Sequence, residues 1–113
     1  MWNFLSRKKN KPAPALTPLF VDLHSHLIPA IDDGAQTEEE SIVLIRGMMQ
    51  EGYRKFIATP HIYRGLYNNT PATISSGLEK LRAVCKSNAL PVEVNAAAEY
   101  FFDNYFLLPC YSQ

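Results

Sequence analysis

Thiol chemistry has little to work with in this sequence, which holds only two cysteines, Cys85 and Cys110. Their separation fits no metal-binding motif. A cysteine-dependent phosphatase needs an arginine that closes a phosphate-cradling loop shortly after its nucleophile. Pro91 stands in that place after Cys85, and Cys110 has only Tyr111, Ser112 and Gln113 behind it. Glycine is scarce at five residues, and none builds a Gly-rich nucleotide loop. No serine sits in a nucleophile elbow. No apolar run approaches the roughly 20 residues that cross a bilayer. The N-terminus lacks the apolar core of a secretory signal, so a cytoplasmic location with reduced cysteines is expected. Internal repeats are absent too.

Hydrophobic residues make up 47% and charged residues 19% of the chain, which is ordinary for one small soluble domain with a real core. The formal net charge of zero hides an uneven distribution. Arg7, Lys8, Lys9 and Lys11 concentrate positive charge in a leader spanning residues 1–17, leaving seven basic against eleven acidic residues in the rest. A body of that sign argues against nucleic acid as a partner. The leader reads as disordered. At most it makes a weak membrane-surface contact through Trp2, Phe4, Leu5 and its basic cluster.

The body has the punctuation of an alternating α/β chain. Leu19 to Leu23 is a short apolar strand, followed by a loop holding Pro29, Asp32, Asp33 and Gly34. Thr37 and Glu40 are spaced as a capping box. The helix they open should bury Ile42, Ile45, Met48 and Met49 and end near Glu51, with Gly52 in the C′ position. Lys55 to Thr59 is a second strand, stopped by Pro60. After a polar, aromatic loop over residues 62–69, Thr70 and Pro71 mark a second helix start. Ile74, Leu78, Leu81 and Cys85 form its buried stripe, which gives Cys85 a packing role. Pro91 ends that pattern, and Val92 to Ala98 is a third strand leading to Glu99. The order βαβαβ calls for parallel strands.

Three histidines are all the chain has, and all fall in two short motifs. The first is Asp22-Leu-His24-Ser-His26, soon followed by Ile31-Asp32-Asp33-Gly34. The second is Thr59-Pro60-His61. Each follows an apolar strand, and Glu99 follows the third. In (β/α) barrels the carboxyl ends of the strands are where chemistry is assembled, because the βα loops converge there. Side chains two apart on a strand share a face, so His24 and His26 can reach one metal while Asp22 orients one of them. Imidazole with carboxylate suits Mn²⁺, Fe²⁺ or Zn²⁺. Each motif has a plainer reading: surface histidines at a strand end, an Asp-Asp-Gly turn, a solvated glutamate. Their joint placement favours a metal centre. Arg64, in the loop after His61, suits a phosphate contact as well as it suits solvent.

The run Phe20-Val-Asp-Leu-His-Ser-His-Leu-Ile-Pro-Ala-Ile-Asp-Asp-Gly-Ala-Gln-Thr37 resembles the opening of the polymerase-and-histidinol-phosphatase (PHP) superfamily. More narrowly, it resembles the bacterial manganese-dependent protein tyrosine phosphatases of capsule and exopolysaccharide loci. Phe56-Ile-Ala-Thr-Pro-His-Ile62, Leu66-Tyr-Asn-Asn-Thr-Pro71 and Ala97-Ala-Glu-Tyr100 match the same family in the same order. The resemblance implies a distorted (β/α) PHP-type barrel with two or three Mn²⁺ ions. Their ligands would be His24, His26, Asp33, His61 and Glu99, with Glu99 bridging. It also implies hydrolysis of protein phosphotyrosine without a phosphoenzyme, the substrate being a membrane-attached bacterial tyrosine kinase.

That family draws further ligands and phosphate-holding arginines from a second half, and no histidine follows His61 here. A closed barrel takes about 250 residues. The expectation is therefore an incomplete N-terminal βαβαβ portion over residues 18–106, with a non-family tail at 107–113. Such a chain is expected to be inactive alone, or a non-catalytic metal- or partner-binding remnant. A PHP phosphatase acting on a small ester such as histidinol phosphate is the alternative activity. Open sheet edges and the aromatic residues after Glu99 predict self-association.

Overall fold

The computed structural model describes residues 20–104 and Phe106. The leader at 1–17, the tail at 107–113, Tyr105 and Cys110 lie outside the described residues. The chain runs β1 (Phe20–Ser25), α1 (Glu38–Gln50), β2 (Tyr53–Ala58), β3 (His61–Ile62), α2 (Pro71–Ser87), β4 (Glu93–Ala96) and β5 (Glu99–Tyr100). The expected βαβαβ order is there, with the second and third strands each broken in two.

β1, β2 and β4 form a parallel sheet in the order β1–β2–β4, and β3 pairs with β5 in a second parallel ladder. The sheet is open among the described residues, as an incomplete barrel would be. Pro60 has no N–H and ends β2, yet it does not end the lateral pairing. The Ala58 carbonyl accepts from the Ala97 amide at 2.9 Å, and the Pro60 carbonyl accepts from the Glu99 amide at 2.9 Å. The two segments thus stay side by side past the break, and His61 becomes the direct partner of Glu99.

Both helices begin on threonine caps, but the reciprocal box is not where the sequence spacing puts it. Thr37 Oγ1 accepts from the Glu40 amide at 3.1 Å, while Glu40 Oε2 accepts from the Gln36 amide at 2.7 Å instead of closing on Thr37. Gln36 is held by its own side chain, whose Nε2 donates to the carbonyls of Asp32 and Gly34. The start of α1 is therefore tied to the Asp-Asp-Gly loop. The complete box belongs to α2, where Thr70 and Thr73 cap each other and Pro71 fills the first turn. Gly52, at φ 102, takes the left-handed conformation that stops α1.

The core lies between the helices and the sheet. Ile42 and Ile45 from α1, Ile74, Leu81 and Cys85 from α2, Phe56 and Ala58 from β2, Val94 from β4, and Leu27 and Ile28 are all buried in it, with Met48, Met49 and Leu78 packed at its margin. Burial pushes the Cys85 thiol up from its ordinary range. In a Cys110→Ser background, Cys85 should react with a thiol reagent only as fast as the protein opens. Native alkylation as fast as in denaturant would contradict the packing role.

Among the described residues β1 stands at the edge of its sheet and exposes Phe20, Val21 and Leu23, the last at 68%. An apolar edge strand is a template for another chain. Sedimentation velocity should show mass increasing with concentration, and Val21→Lys with Leu23→Lys should restore a monomer. A wild-type monomer at every concentration would refute this.

Candidate metal centre

β1 delivers His24 and, one residue past its end, His26. The loop that follows carries Asp32 and Asp33, β3 opens with His61, and β5 opens with Glu99. The structure brings all five expected ligands together. Glu99 Oε2 lies 3.4 Å from His24 Nε2, 3.3 Å from His26 Nε2 and 3.5 Å from His61 Nδ1. Asp33 Oδ1 lies 3.2 Å from His61 Nε2. Two overlapping donor groups result, His24–His26–Glu99 and His26–Asp32–Asp33–His61, each with all its donor atoms within 4.8 Å.

The carboxylate that holds an imidazole here is Asp32, the neighbour of the expected ligand Asp33 in the acidic loop. Its side chain is fully buried, and Oδ2 sits 2.8 Å from His26 Nδ1. The same oxygen accepts from the His61 amide at 3.0 Å, and Oδ1 accepts from the Gly34 amide at 3.0 Å. Burial raises the Asp32 carboxyl, but the bonds from His26, from Gly34 and His61, and the charge of His26 outweigh it, so its pKa lies below the ordinary value. Asp22, expected in the orienting role, instead faces the His24 amide at 3.4 Å, and its Oδ2 is buried without a hydrogen-bond partner. Asn69 is the other residue that sequence reasoning passed over. Its Nδ2 donates to the carbonyls of Ile31 and His61 and so pins the acidic loop against β3. An asparagine in a polar loop carries no sequence signal of that role.

The donor chemistry fits a divalent cation. An ionised carboxylate only accepts, so in the neutral, metal-ligating form of His26 the contact with Asp32 keeps the ring proton on Nδ1. His26 Nε2 is then a lone pair aimed at Glu99 Oε2, which is buried with no hydrogen-bond partner. Both ring nitrogens of His61 face carboxylates, and a neutral ring can donate to only one of them. Electron-rich atoms facing one another at this range call for positive charge between them. Donors about 2.1 Å from a common ion stand roughly 3–3.5 Å apart, the separations seen here. Arg64, by contrast, is exposed and is not among the residues lining the adjacent cleft.

That cleft, about 330 Å³, is lined by Asp33, His61 and Glu99 together with Tyr63, Leu66, Tyr67 and the aromatic residues that follow Glu99. Tyr67 stacks on His61 with ring centroids 5.5 Å apart, and Tyr63 stacks on Phe101 at 4.1 Å. No helix among the described residues is long and apolar enough to cross a membrane.

The tyrosine-protein phosphatase YwqE of Bacillus subtilis (strain 168) is 36% identical over 74 residues, 66% of this chain and 29% of that protein. The tyrosine-protein phosphatase CpsB of Streptococcus pneumoniae is 27% identical over 82 residues, 73% of this chain and 34% of that protein. A solved structure from a study of YwqE and CpsB as "unique metal-dependent tyrosine phosphatases" superposes with a TM-score of 0.70 at 31% identity, covering 80% of this chain and 38% of that one. The chain thus spans about a third of the length of these relatives. A model of the family described as capsular polysaccharide synthesis, CpsB/CapC, matches residues 20–108, which takes in every donor of the cluster and runs two residues past the boundary expected at Phe106. The resemblance read from the motifs holds, and the chain belongs to the CpsB/CapC family of capsular polysaccharide synthesis.

Proposed function

We propose that this chain supplies the strand-end metal donors of a metal-dependent phosphatase that acts on protein phosphotyrosine in the control of capsule or exopolysaccharide synthesis. The observation that carries the reading is Glu99 Oε2, buried, without a hydrogen-bond partner, and facing one nitrogen from each of three imidazoles. His24, His26, Asp33, His61 and Glu99 would hold the metal, and Mn²⁺ suits such a mixed nitrogen and oxygen set. When bound, the metal supplies a nucleophilic water at neutral pH and charge compensation for the phosphoryl oxygens.

The residues of the chain do the rest. Asp32 holds the His26 ring and its tautomer. Asn69 and the backbone pairing of β3 with β5 keep His61, Glu99 and the acidic loop in register. Among the described residues no thiol reaches the cleft: Cys85 is buried in the core on α2 and is not among the residues that line it. The phosphotyrosine substrate we favour is a membrane-attached tyrosine kinase in the cytoplasm.

The test is binding of a phosphotyrosine peptide to the chain with Mn²⁺ present. Retention should depend on the metal, vanish with chelator, and weaken about tenfold or more in Glu99→Gln, as loss of a charged ligand would dictate. Metal-independent retention, or equal retention of the unphosphorylated peptide, would count against the reading.

A further inference from the structure

The two-stranded ladder of β3 and β5 does more than align His61 with Glu99. Side chains two apart on a strand share a face, so the pair after His61 and Glu99 on that face is Tyr63 and Phe101. These rings are stacked at 4.1 Å with an interplanar angle of 13°. The Phe101 amide donates to the Ile62 carbonyl, and Tyr63 exchanges both backbone bonds with Tyr67, so the aromatic row is mounted on hydrogen-bonded backbone. Two residues of strand advance the chain by about 6.6 Å. That is the length scale of a phosphoryl group plus the aromatic ring bonded to it.

The cleft pairs these rings with the donor groups of the metal cluster. Leu66 and Phe102 add to its apolar lining beside Tyr67 and Tyr100, and are 61% and 71% exposed, although nothing in the core depends on them. Large apolar side chains displayed beside a charged site are a feature of ligand clefts, where a few polar groups orient an otherwise apolar ligand.

We infer that Tyr63 and Phe101, with Leu66 and Phe102, form the subsite for the aryl ring of the phosphate ester, and that this row selects aryl over alkyl phosphates. The inference rests on the metal-phosphatase reading above. A phosphorylated serine would place a methylene group where the rings offer stacking, and would gain little from them. The selection is steric and dispersive, with no bond made or broken by these residues.

The experiment uses the full chain with Mn²⁺ and two unreactive probes, phenylphosphonate and methylphosphonate, with affinities read by calorimetry or by NMR titration. The phenyl compound should bind roughly three- to tenfold more tightly, the range aromatic contacts supply. Phe101→Ala and Tyr63→Ala should bring the two probes level while leaving methylphosphonate unchanged, and Tyr63→Phe should keep the preference. Leu66→Ala and Phe102→Ala guard against misfolding as the explanation, since both residues are exposed, and each should reduce the preference. Equal affinity of the two probes in wild type overturns the inference while the metal reading stands, provided methylphosphonate binding needs Mn²⁺. If neither probe binds in any metal state, both readings fall. If Phe102→Ala instead dissociates a dimer, the cleft is a self-interface and the inference is overturned.

Discussion

Gly34→Ala should abolish metal binding and cost the fold about 3 kcal/mol or more, whereas Gly47→Ala should be neutral or stabilising. A Cβ on Gly34 would stand 2.2 Å from the His26 carbonyl oxygen and 2.3 Å from the His26 Cβ. Neither is the far end of a flexible side chain. Relief requires the acidic loop and the end of β1 to move apart, and those two segments are joined by the Ala35 amide donating to the His26 carbonyl at 3.0 Å and by the His26–Asp32 contact. Overpacking usually costs about 1–3 kcal/mol, and the broken hydrogen bonds add to it. For a domain of this size that lowers the melting temperature by more than about 10 °C. Gly47 lies inside α1 with nothing within 4 Å of its would-be Cβ. Alanine there gains up to about 1 kcal/mol of helix propensity. Thermal melts and Mn²⁺ titrations of the two variants are the check. A Gly34→Ala protein that melts and binds like wild type would show that the loop does not need this close approach.

This contrast also shows where the sequence was legible. The strands, the helices and the convergence of His24, His26, His61 and Glu99 follow from local signals: apolar runs, threonine caps, Pro60 and Pro91, and donors placed after each strand. The helix stripes follow from periodicity, and Ile42, Ile45, Leu81 and Cys85 are buried as the spacing requires. Three features escaped because they depend on contacts between distant segments. Pro60 reads as a stop, yet pairing resumes beyond it because the neighbouring segment after Ala96 supplies the donors. Glu40 misses its reciprocal cap because Gln36 has already been fixed by the loop ahead of it. Asp32 looks like one half of an Asp-Asp turn, and only the folded loop shows that Asp32 points inward while Asp33 faces the cluster edge.

Asp32→Asn should weaken Mn²⁺ binding about 10- to 100-fold and destabilise the chain by roughly 2–4 kcal/mol, a large effect for a change of one atom. Both Asp32 oxygens accept: Oδ2 from the His61 amide and the His26 ring, Oδ1 from the Gly34 amide. Asparagine has one oxygen and one NH₂. Whichever way it is turned, its NH₂ group meets a backbone N–H, and one buried donor loses its partner. If the NH₂ faces His26, the ring can still be satisfied by moving its own proton from Nδ1 to Nε2. That move turns Nε2 into a donor toward Glu99 and removes it from the metal's ligand set. The destabilisation and the lost affinity therefore have one origin, and a spectroscopic signature separates it from simple unfolding. Nitrogen NMR of His26 should report the Nδ1–H tautomer in wild type and a shift toward Nε2–H in the variant, while Asp33→Asn leaves the His26 tautomer unchanged. Wild-type affinity in Asp32→Asn, with the His26 tautomer undisturbed, would mean that this buried carboxylate does not govern the ligand beside it.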